Sequence, residues 1–221
     1  MNMRTKVKIC CIKSVREIDL AVRYGASAVG FVSAMPSGPG PISENEIAAL
    51  IPHVPAGIAT FLLTSRQDTA SIVAQQRKTK ANTLQLVDSV PLTVYADLRS
   101  NLPGITLVQV IHVTGDEAME TANAVAPFVD AVLLDSGNPN LPVKELGGTG
   151  RTHNWNISKA ICDQLAIPVY LAGGLRPDNV ADAIRRVHPF AVDLCSGVRT
   201  NGVLDEAKLS AFFSQVAAAN S

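Results

Sequence analysis

A thiol at Cys10, an amine at Lys8, and carboxylates at Asp135 and Asp193 all stand on, or at the end of, short apolar runs. A thiolate can accept a proton and a carboxyl held protonated can donate one, so the set is suited to acid–base chemistry that requires no metal. Taken singly, each has a plainer reading. A lone Cys fills a core, and an Asp at a strand end pairs with Lys8 or caps a loop. A further feature argues for taking them together. Three glycine steps follow apolar runs: GGTG at Gly147 to Gly150, AGG at Ala172 to Gly174, and SG at Ser196 to Gly197. Glycine lets the main chain approach a ligand closely, and exposed N–H groups near a helix start attract anions. Gly173, Gly174, Ser196 and Gly197 are therefore expected to grip one phosphate, with Gly148, Thr149 and Gly150 forming a flexible loop on the same rim. The alternative is that these glycines only make tight turns. Thiol, acid and phosphate grip together fit a proton-transfer reaction on a sugar phosphate. A free thiol ionises near ~8.5, so Cys10 needs a neighbour that favours the thiolate, and Lys8 is a candidate unless it points deeper.

The elements that must carry these residues follow from hydrophobic period. Strands are expected at 6–10, 26–32, 56–64, 83–87, 106–113, 131–135, 167–172 and 190–194. Between them the period switches to that of helices. The first, 14–25, carries Val15, Ile18 and Val22 on one face and stops at Gly25. The second, 43–51, opens with Ser43 and Glu46 in capping-box spacing. Others are expected at 68–78, 91–101 and 116–126. Asn154 caps one carrying Ile157, Ala160, Ile161 and Leu165. The next has Val180, Ala183, Ile184 and Val187 at helical spacing, and the last turns Leu209, Phe212, Phe213 and Val216 inward. Eight strand–helix units with near-continuously apolar strands predict a single-domain (β/α)8 barrel over residues 1–221. A doubly wound open sheet is the alternative. In a barrel, catalytic groups lie at the C-terminal strand ends, where all three glycine steps fall.

Composition narrows the function. Lys plus Arg and Asp plus Glu are 19 each, so net charge is zero and no general nucleic-acid or membrane-surface binder is expected. No run approaches the length of a membrane span. The start, MNMRTKVKIC, has no long apolar segment before a small-residue cleavage site, so a cytoplasmic location is expected. The four cysteines, Cys10, Cys11, Cys162 and Cys195, lack metal-finger spacing and read as free thiols. On a strand, Cys10 and Cys11 would point to opposite sides. The partner is expected to be a phosphorylated small molecule, and exposed apolar helix faces are compatible with a homodimer.

The stretches KVKIC, LLDS, GGTGRTHNW, LAGGLRPDNV and VDLCSGV, in this order and spacing, resemble the phosphoribosylanthranilate isomerase family of tryptophan biosynthesis. The likeness runs from Lys6 to the final helix. It implies an eight-fold barrel and a cofactor-free Amadori rearrangement by an aldose–ketose isomerase. In that reading Asp135 is the general acid that opens the furanose to a Schiff base. Cys10 is the general base that removes the C2 proton, and Asp193 holds substrate hydroxyls or orders the site.

The sequence also departs from the family pattern. The loop after the second strand, SAMPSGPGPIS, lacks the arginine that meets the anthranilate carboxylate, and no Lys or Arg occurs between Arg23 and Arg66. Val87 and Asp88 replace a His-Gly pair, Cys11 replaces a glycine, and Arg199 stands where an acid is common. Asp88 and Arg199 are therefore candidate contacts for the aglycone, with Lys13 and Arg151 as other sources of charge, or else solvated rim charges. Three alternatives remain: an Amadori isomerase of another phosphoribosylamine, a non-catalytic phosphosugar-binding barrel, and a pentose-phosphate epimerase or aldolase. The last lacks its signature, since His53, His112, His153 and His188 form no evident set. His112 is the histidine expected to face the site.

Overall fold

The computed structural model describes residues 4–221. Eight parallel strands alternate with eight helices: β1 Lys6–Ile9, α1 Val15–Tyr24, β2 Ala28–Val32, α2 Glu44–Leu50, β3 Ala59–Thr64, α3 Thr69–Thr79, β4 Thr83–Leu86, α4 Leu92–Asn101, β5 Thr106–His112, α5 Glu117–Val125, β6 Ala131–Asp135, α6 Trp155–Gln164, β7 Val169–Leu171, α7 Val180–Val187, β8 Ala191–Leu194 and α8 Glu206–Ala219. Each strand pairs with the next, and β1 pairs with β8 in a register that sets Lys8 against Asp193. That closure makes the sheet a (β/α)8 barrel and excludes the open-sheet alternative.

Local chemistry sets the helix starts. Ser14 accepts from the Glu17 N–H, and Ser43 and Glu46 form a capping box. Asp68, Asn154 and Asp205 each accept an N–H of the following turn. Several strands are shorter than expected, as at 56–64 and 167–172, where the ladder covers only Ala59–Thr64 and Val169–Leu171. Of the flanking residues Ala56, Gly57 and Pro168 are exposed, while Ala172 is buried and donates its N–H to the Leu134 carbonyl. Val15 and Ala160, expected on buried faces, are exposed, whereas Ser158 is buried and hydrogen bonds to His153. The sequence reading also missed a short hairpin, β9 Arg199–Thr200 with β10 Val203–Leu204, which pairs antiparallel after β8.

Strand parity sorts the core into two layers. One packs between strands and helices and contains Val29, Leu84, Leu107, Val132, Leu209 and Phe212. The other fills the barrel with Phe61, Leu63, Val108, Val110, Ala131 and Leu133. Lys8 is fully buried in that interior, with its ammonium 4.9 Å from the centre of the Phe61 ring and 2.8 Å from Asp193. Among the described residues no helix is long and apolar enough to cross a membrane.

Candidate active site

At the C-terminal ends of the strands a cleft opens. Cys10, Asp135 and Asp193 line it, as do Gly148, Thr149, Gly150, Gly173, Gly174, Ser196 and Gly197. The structure thus brings together the proposed acid, base and phosphate-gripping residues, but not Asp88, Arg199, His112, Lys13 or Arg151.

Cys10 follows the last residue of β1 and is 5% exposed. Burial pushes its thiol up to about 11, although the Lys8 ammonium pulls the other way. Burial also works against the charge on Lys8, but Asp193 and Cys10 outweigh it and hold the ammonium above its ordinary value. Asp193 gives one oxygen to Lys8; the other, Oδ1, is buried without a hydrogen-bond partner on the cleft wall. An orphaned buried acceptor is costly, and a ligand hydroxyl would satisfy it. Asp135 ends β6. Burial raises its carboxyl above the usual range, against the Ser136 N–H, which donates to it at 2.7 Å, and the neighbouring His112. A carboxyl whose pKa is raised in this way is better suited to carry and donate a proton. Gly147 leaves room beside it: a Cβ there would stand 2.5 Å from Asp135 Oδ2.

The glycine loops are cross-braced. Ser136 and Thr149 share a hydroxyl hydrogen bond of 2.7 Å. Asn179 donates to the Gly174 carbonyl and accepts from the Arg176 N–H, fixing the turn after β7. Gly197 packs so closely on this turn that a Cβ would fall 2.0 Å from the Leu175 oxygen. Among the described residues the N–H groups of Gly173 and Gly174 have no protein acceptor. Over the mouth, Ser37 donates to the Lys144 carbonyl, pinning the loop after β2 to the loop after β6.

Five expectations need correction. Arg199 is 9% exposed and faces away from the cleft: it pairs with buried Glu17 and donates to the carbonyls of Cys10 and Cys11. The β9–β10 hairpin turns it inward, so it braces the loop that carries Cys10 and is neither an aglycone contact nor a solvated rim charge. Asp88 is likewise buried, salt-bridged to Lys144 at 2.6 Å, and lines a neighbouring cavity together with His112. His112 therefore does not face the main cleft; its Nε2 lies 3.0 Å from the Val87 carbonyl. The cysteines are not all free. Cys11 and Cys195 form a disulfide, leaving Cys10 and Cys162 as thiols. Nor do Cys10 and Cys11 point to opposite sides. Both lie beyond β1, Cys11 has φ +63°, and that left-handed turn breaks strand alternation so that both line the cleft.

The sequence reading missed two residues. Gln85 is 3% exposed, lines the cleft, and has an unpartnered Oε1. A polar residue at an inward position of an otherwise apolar strand was the available signal. Lys144 was hidden because it pairs with Asp88 across 56 residues.

Comparisons with known proteins bear on the family and the fold. The model of the N-(5'-phosphoribosyl)anthranilate (PRA) isomerase family matches residues 7–215. The chain belongs to the PRA isomerase family. A PRA isomerase of Halobacterium salinarum is 37% identical over 216 residues, covering 97% of this chain and 96% of that one. A crystal structure of a PRA isomerase with reduced 1-(o-carboxyphenylamino)-1-deoxyribulose 5-phosphate is 26% identical, with TM-score 0.79, covering 97% of this chain and 99% of that one. Monomers generated from the dimeric PRA isomerase of Thermotoga maritima superpose with TM-score 0.79 at 25% identity, with the same coverage. Membership in the PRA isomerase family makes this chain an isomerase of tryptophan biosynthesis.

Proposed function

We propose that the cleft performs the Amadori rearrangement of N-(5'-phosphoribosyl)anthranilate, with Asp135 as general acid and Cys10 as general base. Asp135 protonates the furanose ring oxygen, and the ring opens to a Schiff base. The iminium acidifies the neighbouring C2–H, which Cys10 removes, and the enolamine tautomerises to the 1-deoxyketose phosphate. The resting thiol is mostly protonated, since burial pushes it up to about 11. The cationic iminium, formed on a substrate in the same cleft, adds to Lys8 as an opposite charge favouring the thiolate. Asp193 Oδ1 accepts a substrate hydroxyl. The main-chain amides at Gly173, Gly174, Ser196 and Gly197 take the phosphate, with the loop of Gly148, Thr149 and Gly150 on the same rim.

For the aglycone, Val32, Met35, Leu63, Val87 and Leu146 offer an apolar wall. The cation assigned in place of the missing loop arginine is Lys144, whose carbonyl Ser37 holds over the mouth and whose ammonium would exchange Asp88 for the anthranilate carboxylate. Arg199 is committed to Glu17, and Arg151 is paired with Glu145. The observation that carries this reading is that Cys10 and Asp135 line one cleft with the three glycine loops. It is tested by following the fluorescence of freshly prepared phosphoribosylanthranilate. Cys10→Ala and Asp135→Asn are each expected to lower kcat by about 10²–10⁴ while leaving phosphate binding in place. A folded wild-type protein that does not turn this substrate over would overturn the anthranilate assignment.

A further inference from the structure

The disulfide joins residues 184 apart in sequence, and it does so on the wall of the active cleft. Its two halves flank the proposed machinery. Cys11 immediately follows Cys10, and Cys195 immediately precedes Ser196 and Gly197. Cys11 holds a left-handed backbone, φ +63°, which side chains with a Cβ rarely adopt. Such a conformation is strained and persists only where the surroundings over-determine it. Here the surroundings are the Arg199 guanidinium, which donates to the Cys11 carbonyl at 2.7 Å, and the Sγ bond to Cys195. On the other side the loop after β2 packs tightly: a Cβ on Gly40 would meet Cys11 Cβ at 2.7 Å. If the bond breaks, two sulfurs must separate to van der Waals contact. Cys11 is confined by Gly40 and Arg199, so the freer partner, half-buried Cys195, moves, and with it the Ser196–Gly197 turn.

We propose that Cys11 and Cys195 are a reversible dithiol–disulfide modification site whose oxidation state sets how firmly the isomerase holds its phosphorylated substrate. The kinetic part of this proposal rests on the isomerase reading above; the pairing itself does not. The oxidant is a low-molecular-weight disulfide. The thiolate of Cys195, the more exposed sulfur, attacks one sulfur of the small disulfide, forming a mixed disulfide and releasing one small thiol. The Cys11 thiolate then attacks Cys195 Sγ and releases the second. Two protein thiols are oxidised, one small disulfide is reduced to two thiols, and each departing thiolate takes up a proton lost by Cys11 or Cys195. The nearby Cys10 is not part of the pair: its thiol is free while Cys11 and Cys195 are joined. The oxidised form is the one in which the phosphate turn and the base loop are tied together.

The test equilibrates the full chain with oxidised glutathione or with dithiothreitol and reads three quantities. Thiol titration in denaturant, with peptide mapping, is expected to find two thiols, Cys10 and Cys162, in the oxidised form. Four thiols are expected after reduction, since the chain has four cysteines. KM for phosphoribosylanthranilate is expected to rise about tenfold on reduction, with a smaller change in kcat, and to recover on reoxidation. Affinity for inorganic phosphate, measured by calorimetry, is expected to weaken in parallel, which keeps a readout even where the isomerase substrate fails. Cys11→Ser and Cys195→Ser are expected to fix the reduced behaviour and abolish the response. Four thiols under oxidising conditions, a Cys10–Cys195 pairing, or equal KM and phosphate affinity in both states would each overturn the proposal.

Discussion

At the scale of single residues, the chemistry depends on an acid and a base whose environments push both pKa values upward for the same reason, removal from water. Asp135 rises from the carboxylate range and Cys10 rises to about 11. As long as Asp135 ionises below Cys10, the reactive form, with thiolate and protonated carboxyl, is a minor species of constant fraction between the two values. As pH falls below the Asp135 value, the Cys10 thiolate becomes ever scarcer without any gain in protonated Asp135. As pH rises above the Cys10 value, protonated Asp135 becomes scarcer without any gain in thiolate. The profile of kcat/KM is therefore expected to be flat through neutrality. Its acid limb should belong to Asp135 and its alkaline limb, near 11, to Cys10. In Asp135→Asn only the thiolate requirement remains, so the residual activity should lose the plateau and the alkaline fall and rise with pH up to about 11; a profile still flat through neutrality would assign the acid limb elsewhere. Lys144 is tested at the same scale. Lys144→Ala removes one charged hydrogen-bond partner, worth about 1.5–3 kcal/mol, and is expected to raise KM by about 10–100-fold with little change in kcat. An unchanged KM would remove Lys144 from the aglycone site.

At the scale of elements, the loop after β1 owes its shape to a contact the reading of motifs did not supply. Glu17 on α1 and Arg199 on the β9–β10 hairpin form a buried pair, and Arg199 also holds the carbonyls of Cys10 and Cys11. Glu17 in turn accepts the N–H groups of Lys13 and Leu204. Glu17→Gln would leave the guanidinium buried without its counter-charge. It is expected to cost about 3–5 kcal/mol in urea unfolding and to lower kcat by releasing the base loop. A loss within half a kcal/mol would mean that the pair is spectator packing.

At the scale of the molecule, the barrel closes at its sequence ends, so the last helix matters as much as the first strand. α8 buries Leu209, Phe212 and Val216 against α1, α7 and the turn after β8, and Asn220 accepts the Thr5 N–H. Burying three such side chains contributes about 5–9 kcal/mol at 1.5–3 kcal/mol each, comparable to the 5–15 kcal/mol stability of a whole domain. A chain ending at Asp205 is therefore expected to lose cooperative unfolding by circular dichroism. Retention of a sharp transition would show that the other seven units close without it.

The sequence by itself determined the alternation of strand and helix, because burial on both faces of a parallel strand and on one face of a helix leaves two distinct hydrophobic periods. It also determined which residues stand at the ends of strands, so Cys10, Asp135, Asp193 and the three glycine steps were legible as one rim. Motif reading could not reach contacts between distant segments, which no local pattern encodes. Arg199 and Asp88 look like free charges along the chain, but only the fold supplies Glu17 and Lys144 to neutralise them and take them out of solvent. Cys11 and Cys195 look like unrelated thiols until barrel closure brings the ends of β1 and β8 together. Strand ends are set by local patterning. Ion pairs and a disulfide spanning 182 and 184 residues are set by which strands become neighbours, and only the tertiary structure decides that.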